Sequence, residues 1–147
     1  MKTPDREHDS TARPPRADMG GLSKLIRLPC APTRVLYTTA VRGVVGFGPT
    51  DWDLAALLTF EARDLETIVR EAARRPRPRA ELIIPPERLD WFPSDARDLL
   101  VENARDGGFS LKGEMYDAGD FFKPPLTHGY MLRAGTTPHL YLYLYTM

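Results

Sequence analysis

The sequence has a single cysteine, Cys30, and no long hydrophobic run. One cysteine cannot form an internal disulfide, and a cysteine-based metal cluster needs several thiolates, so both are excluded. No apolar stretch approaches the roughly 20 residues that a membrane-spanning helix needs. A lone thiol and the lack of such a stretch fit a reducing compartment. We therefore expect a cytoplasmic protein without a transmembrane segment.

The sequence also lacks a net charge, because 20 acidic residues balance 20 basic ones. A neutral chain has no overall field that would attract nucleic acid or an anionic membrane. The basic residues are sixteen arginines and four lysines, and 14 prolines accompany them. This usage is typical of a GC-rich genome, so it indicates a bacterial source and carries little functional information.

Catalytic and nucleotide-binding signatures are missing as well. The sequence contains no G-x-S-x-G nucleophile elbow, no G-x-G-x-x-G loop and no G-x-x-x-x-G-K-[ST] loop. A glycine-rich stretch spans residues 43–50, but its Pro49 removes one backbone N–H that a phosphate-binding loop would use. The sequence therefore favours a protein that is not an enzyme and needs no cofactor.

The most regular pattern is the strict Leu/Tyr alternation at the C-terminal end, residues 138–147. A period of two predicts a β-strand whose successive side chains point to opposite faces of a sheet. Neither face is charged, which predicts a strand inside the sheet. We expect one face to lie under helices and the other to be open. The first carries Leu140, Leu142 and Leu144, and the second carries Tyr141, Tyr143 and Tyr145.

The first half of the chain predicts a tail followed by a hairpin and a helix. Residues 1–32 are polar and proline-rich and predict a flexible N-terminal tail, in which an apolar cluster (Leu22, Leu25, Ile26, Leu28) could dock one helical turn. Residues 34–40 are rich in β-branched side chains and predict a strand. Residues 51–75 fit either one long helix or a strand followed by a helix over residues 63–74. We favour the second, because a 25-residue helix is about twice the average length.

The second half predicts short strands around one helix. We expect a strand at residues 81–84, a helix that starts at Ser94 and stops at the glycine pair 107–108, and strands at residues 109–116 and 130–133. The last of these forms a hairpin with the C-terminal strand. The predicted fold is α+β: an antiparallel or mixed sheet of five to six strands, two helices packed on one face, a disordered tail, and one domain over residues 33–147.

Three sets of residues are candidates for function. The tyrosines Tyr141, Tyr143 and Tyr145 could form an aromatic platform, although they could equally pack beneath another part of the chain. The only basic run supplies Arg74, Arg75, Arg77 and Arg79. A long loop supplies two carboxylates and an imidazole, Asp117, Asp120 and His128, which are weak catalytic or metal-binding candidates with no recognised spacing.

These sets lead to three functional hypotheses. The leading one is a non-catalytic domain that contacts another protein, or a second copy of itself, through the aromatic sheet face. A second is single-stranded nucleic-acid binding by the tyrosines and the arginine run. A third is a small metal-dependent hydrolase in which His128 acts as the base.

Overall fold

The structure, a computed structural model, describes residues 14–42, 51–103 and 107–146. Three α-helices and seven strands lie in these residues. The helices are α1 (Met19–Leu25), α2 (Ala62–Ala72) and α3 (Ser94–Arg97). The strands are β1 (Arg34–Arg42), β2 (Asp51–Thr59), β3 (Leu100–Asn103), β4 (Gly108–Leu111), β5 (Gly113–Asp117), β6 (His128–Ala134) and β7 (His139–Tyr145). Two 3-10 turns lie at Pro86–Trp91 and Gly119–Phe121.

The main sheet contains five strands in the order β1-β2-β7-β6-β5, and every neighbouring pair is antiparallel. The C-terminal strand β7 is its middle strand, and Leu142 pairs with Ala56 on one side and Met131 on the other. Strands β3 and β4 form a separate two-stranded sheet. The prediction of an α+β fold built on an antiparallel sheet is confirmed, and so is the central position of the Leu/Tyr strand.

Residues 51–75 form a strand followed by a helix, as favoured. Strand β2 lies between β1 and β7, and its middle residues are buried because both faces of the sheet are covered there. Helix α2 follows after two residues and turns Leu65, Ile68 and Ala72 towards the sheet. The predicted pairing of the first two strands is confirmed, although the glycine-rich connection at residues 43–50 lies outside the described residues.

Helices α1 and α2 both pack on one face of the main sheet. Leu22 and Ile26 of the N-terminal segment are buried there, beside the leucines of β7 that were predicted to lie under helices. Asp18 holds α1 in place, because its carboxylate accepts hydrogen bonds from the Gly21 N–H at 2.9 Å and the Tyr37 hydroxyl at 3.1 Å. This part of the expected tail therefore packs against the sheet.

The other face of the main sheet is covered by a segment whose described residues are 82–103 and 107–111. Its buried apolar side chains pack on Tyr141, Leu57 and Leu132. They are Leu82, Ile84, Trp91, Phe92, Ala96 and Leu111. The expectation of an open tyrosine face is wrong at Tyr141, whose side chain is 1% exposed.

The helix predicted from Ser94 ends at Arg97, and the expected C-terminal half is strand β3. The backbone of β3 pairs with β4, and Gly107 turns the chain between them with a φ of 72°. A glycine in this left-handed conformation fits a helix end and a hairpin turn equally well, so the local signal was ambiguous.

Two predicted strands are also corrected. Residues 81–84 form no strand: only Ile84 pairs, with Phe109, and the prolines that follow cannot continue a ladder. The strand predicted at residues 109–116 divides into β4 and β5. The chain passes from one sheet to the other at Gly113, where a Cβ atom would overlap the carbonyl oxygen of Arg133.

Candidate functional site

The tyrosines of β7 differ in how much surface they expose. Tyr141 is buried, whereas Tyr143 and Tyr145 are half-buried. Strand β6 adds His128 opposite Tyr145 and Tyr130 opposite Tyr143. Ring centroids lie 5.6 Å apart for His128 and Tyr145, 5.7 Å for Tyr143 and Tyr145, and 5.9 Å for Tyr130 and Tyr143. We call these four residues the aromatic row.

Tyr141 links the sheet to the segment that covers it. Its ring stacks on Phe92 with 5.9 Å between centroids, and its hydroxyl accepts a hydrogen bond from Arg88 Nη1 at 3.0 Å. Burial raises the pKa of the Tyr141 hydroxyl, and the nearby guanidinium opposes this rise. The phenol is therefore neutral at physiological pH and holds the arginine in a fixed place.

A cleft of about 310 Å³ opens between the tyrosines and the start of the covering segment. Its residues are Asp53, Glu81, Leu82, Ile83, Pro85, Arg88, Tyr130, Tyr141 and Tyr143. The Tyr143 hydroxyl donates to Asp53 Oδ2 at 2.9 Å, which orients one wall. Burial, and then the neighbouring Tyr145, raise the pKa of Tyr130. The cleft thus combines aromatic surface, phenol hydroxyls and a small number of charged groups.

The arginine run does not form one basic surface. Arg74 pairs with Glu71 at 3.3 Å, and Arg77 pairs with Glu114 at 3.4 Å while its guanidinium lies 4.5 Å from the centre of the Tyr116 ring. Arg79 is exposed. Arg77 therefore lies beside β5, and the charges of Arg74 and Arg77 are balanced by carboxylates of the same chain.

The two candidate carboxylates of the loop, Asp117 and Asp120, both pair with the fourth arginine of the run. Arg75 Nε donates to Asp117 Oδ1 at 2.8 Å, and its Nη2 lies 3.3 Å from Asp120 Oδ2. Asp117 also accepts from the Gly119 N–H at 2.7 Å, as an aspartate in a turn commonly does. His128 stacks on Tyr145 instead of joining them. Within residues 14–42, 51–103 and 107–146, no three His, Cys, Asp or Glu side chains are placed to hold a metal ion.

Sequence reasoning did not predict a set of hydrogen bonds that joins β2, β7 and α3. His139 Nδ1 lies 2.9 Å from Thr59 Oγ1, and His139 Nε2 lies 2.9 Å from Asp95 Oδ1. Thr59 and His139 are partners in the sheet, whereas Asp95 belongs to the covering segment. The His139 side chain is only 7% exposed, so these hydrogen bonds attach α3 to the sheet.

Cys30 does not have the surroundings of a reactive thiol. It is half-buried beside the α1–α2 core. Burial, and then the charge of Asp64, raise the pKa of its thiol. Both effects disfavour the thiolate, which is the nucleophilic form.

No family model matches the sequence, and comparisons with curated proteins and with solved structures found no similar protein. No helix in the part of the chain that the structure describes is long and apolar enough to cross a membrane.

Proposed function

We propose that this protein is a non-catalytic binding domain that contacts another protein through the aromatic row, His128, Tyr130, Tyr143 and Tyr145. The observation that carries the proposal is the partial exposure of four adjacent rings on two neighbouring strands of the sheet. Tyrosine is favoured at protein interfaces, because its ring supplies contact area and its hydroxyl supplies a directional hydrogen bond.

The rigidity of the row supports the same proposal. All four residues belong to two neighbouring strands of a five-stranded sheet, and each ring is supported by another ring. Side chains that are held in place before binding lose less conformational entropy when a partner docks. Tyr141, which was also a candidate, supports the row from the core and does not contact the partner.

Nucleic-acid binding has weaker support. Three of the four arginines that would neutralise phosphates already pair with carboxylates of the chain: Arg74, Arg75 and Arg77. Phosphate would have to displace these partners, and the favourable release of counterions would be reduced. A metal-dependent hydrolase has weaker support still, since Asp117 and Asp120 bind Arg75 and His128 lies in the aromatic row.

Site-specific photocrosslinking tests the proposed contact. A photoreactive phenylalanine analogue would replace Tyr145 in the row or, as the control, Arg63, which is exposed on α2 at the opposite face. We expect adducts of higher mass from position 145 and none from position 63 in cells of the native host. Equal labelling at both positions, or no adduct at position 145, would contradict a contact through the row.

Light scattering during size-exclusion chromatography separates the two kinds of partner. If a second copy is the partner, the wild-type protein forms a dimer or larger assembly at high micromolar concentration. The double variant Tyr143→Ser, Tyr145→Ser then stays monomeric with an unchanged far-UV spectrum. A strict monomer removes self-association, and the crosslinked adduct must then contain a different protein. The cytoplasmic location and bacterial source predicted from composition belong with this proposal and stay predictions.

A further inference from the structure

Arg88 differs from the other arginines that the structure places in half-buried positions. Among the arginines whose side chains are described, three are half-buried: Arg75, Arg88 and Arg133. Arg75 pairs with two aspartates, and Arg133 Nη1 pairs with Glu66 Oε2 at 2.9 Å. Arg88 has no carboxylate within ion-pair distance among the described residues; it donates to the Tyr141 hydroxyl and lies 5.6 Å from the centre of the Trp91 ring.

This guanidinium lines the cleft in front of Tyr130, Tyr141 and Tyr143. Guanidinium has five N–H donors, and the hydrogen bond to Tyr141 uses one of them. Desolvating a cation without a counter-charge costs free energy, so the position is favourable when an anion completes it. Tyr141 and Trp91 hold the group from two sides, which fixes the direction in which the remaining donors can bind.

The two acidic residues of the cleft are already engaged. Asp53 accepts the Tyr143 hydroxyl, and Glu81 Oε2 accepts from Asn103 Nδ2 at 3.4 Å. Their charges still act across the cleft. These carboxylates repel a ligand with two negative charges more strongly than one with a single charge, so a single anionic group placed directly at Arg88 is favoured over a dianion.

The other side chains that line the cleft belong to apolar or aromatic residues. They are Leu82, Ile83, Pro85, Tyr130, Tyr141 and Tyr143, of which Tyr141 is only 1% exposed. A volume of about 310 Å³ corresponds to the small end of ligand pockets. Such a site fits a flat apolar body of about ten heavy atoms that carries one anionic group at its end.

We propose that this cleft binds a small organic monocarboxylate with an aromatic or apolar body, with Arg88 on the carboxylate and the body against Tyr130, Tyr143 and Ile83. The Tyr141 hydroxyl positions the guanidinium and does not need to touch the ligand. This site lies beside the aromatic row, shares Tyr130 and Tyr143 with it, and stands whether or not the row contacts a protein.

NMR titration of the isotope-labelled protein tests the proposal with four probes of similar size: 3-phenylpropionate, its neutral amide, phenethylamine and phenyl phosphate. We expect saturable shifts with the carboxylate, centred on residues 81–88 and 130 and 141–143. The amide should bind at least about tenfold more weakly, because a charge-assisted bond to Arg88 is lost. Equal affinity for the amide, or tighter binding of the amine or the phosphate, would overturn the proposal.

Variants connect the binding to Arg88. Arg88→Gln should weaken 3-phenylpropionate binding at least about tenfold, and Arg88→Lys should weaken it less because the charge is retained without the planar fork. Arg63→Gln removes the same charge from an exposed site on α2 and should leave binding unchanged. If Arg88→Gln does not fold, the affinity of the Arg88→Lys variant for 3-phenylpropionate tests the assignment. Binding that both Arg88 variants leave unaltered, or that Arg63→Gln weakens equally, would contradict the assignment.

Discussion

The two faces of the main sheet are covered by different kinds of structure. On one face, helices α1 and α2 cover a continuous apolar layer that includes Leu54, Leu58 and Leu142, all with 0% exposure. On the other, the irregular segment of residues 82–111 covers Tyr141 but leaves Tyr143 and Tyr145 half-buried. The first face is a closed core, whereas the second is a core at one end and a cleft with an aromatic surface at the other.

This difference follows from the shape of the covering structure. A helix presents an apolar stripe along its length, so two helices can cover a wide part of a sheet. A segment made of a 3-10 turn, a four-residue helix and a short hairpin buries only the residues directly beneath its few large side chains. Candidate binding residues are therefore found at the edge of this covering segment. Irregular segments that are positioned by a rigid scaffold commonly carry binding residues.

The largest loss of unfolding free energy is expected at the residues of β7 that are buried under the structures on both faces of the sheet. Tyr141 and Leu142 are neighbours on opposite faces of β7, and both are buried. Leu142→Ala should cost about 2–5 kcal/mol of unfolding free energy and Tyr141→Ser about 3–5 kcal/mol, since each leaves a cavity in packed surroundings. Urea denaturation followed by circular dichroism measures both.

Tyr145→Ser is the matched control for Tyr141→Ser, because the same change is made four residues later on the same face. The Tyr145 ring is half-buried, so its loss should cost below about 1.5 kcal/mol. If the two serine variants lose equal stability, the two ends of the tyrosine face are covered alike and the comparison fails.

A smaller loss of unfolding free energy is expected when the hydrogen bond between Asp95 and His139, which attaches the covering segment to the sheet, is removed. Asp95→Ala leaves the buried His139 Nε2 without its partner and should cost about 1–3 kcal/mol. Asp95→Asn keeps an acceptor oxygen and should cost less. Hydrogen exchange should accelerate in residues 84–111 and stay unchanged in α2, because the helix-covered face does not depend on this contact.

Asp98→Ala removes an exposed carboxylate from the same segment and serves as the control. Its unfolding free energy should stay within about 0.5 kcal/mol of the wild type. Equal exchange rates in the Asp95→Ala variant and the wild type would show that packing alone holds the segment.

The smallest effect on stability at neutral pH is expected from the ionisation of tyrosine hydroxyls. Burial raises the pKa of Tyr37 on the helix-covered face and of Tyr141 on the other. A raised folded pKa means that the neutral hydroxyl stabilises the fold below the unfolded value of about 10 and that this stability is lost as pH rises through the folded pKa. Urea midpoints should therefore be constant near pH 8 and fall above about pH 10.

Tyr141→Phe should flatten the fall above pH 10, because it removes one of the groups that must ionise. Wild-type midpoints that do not change up to pH 11 would contradict the assigned direction of these pKa shifts.

Sequence reasoning succeeded where one local pattern had one structural meaning. The alternation of Leu140 to Tyr145 predicted a central strand and the face that lies under helices, and the β-branched run at residues 34–40 predicted β1. It failed for Leu100–Asn103, where an apolar spacing fits a helix turn as well as a short strand paired with β4. The local sequence does not say which partner the backbone will find.

The candidate site was predicted only in part, because its residues are separated in the chain. Tyr143 and Tyr145 were found from their period. Arg88, however, meets Tyr141 across 53 positions, and Asp95 meets His139 across 44. A lone arginine after a proline pair and a lone aspartate at a helix start carry no sign of such partners. Asp117 and Asp120 had the residue types of a metal site, but Arg75 of another element pairs with both.

The sequence by itself determined the secondary structure of the central strands, the polarity of their faces and the lack of recognised catalytic motifs. These properties depend on side chains that are close in the chain, whose period and chemistry can be read directly. The tertiary structure alone decided which tyrosine is buried, which carboxylates are occupied and where the cleft opens. Those outcomes depend on contacts between residues about 40 or more positions apart, and such contacts form only when the covering segment packs on the sheet.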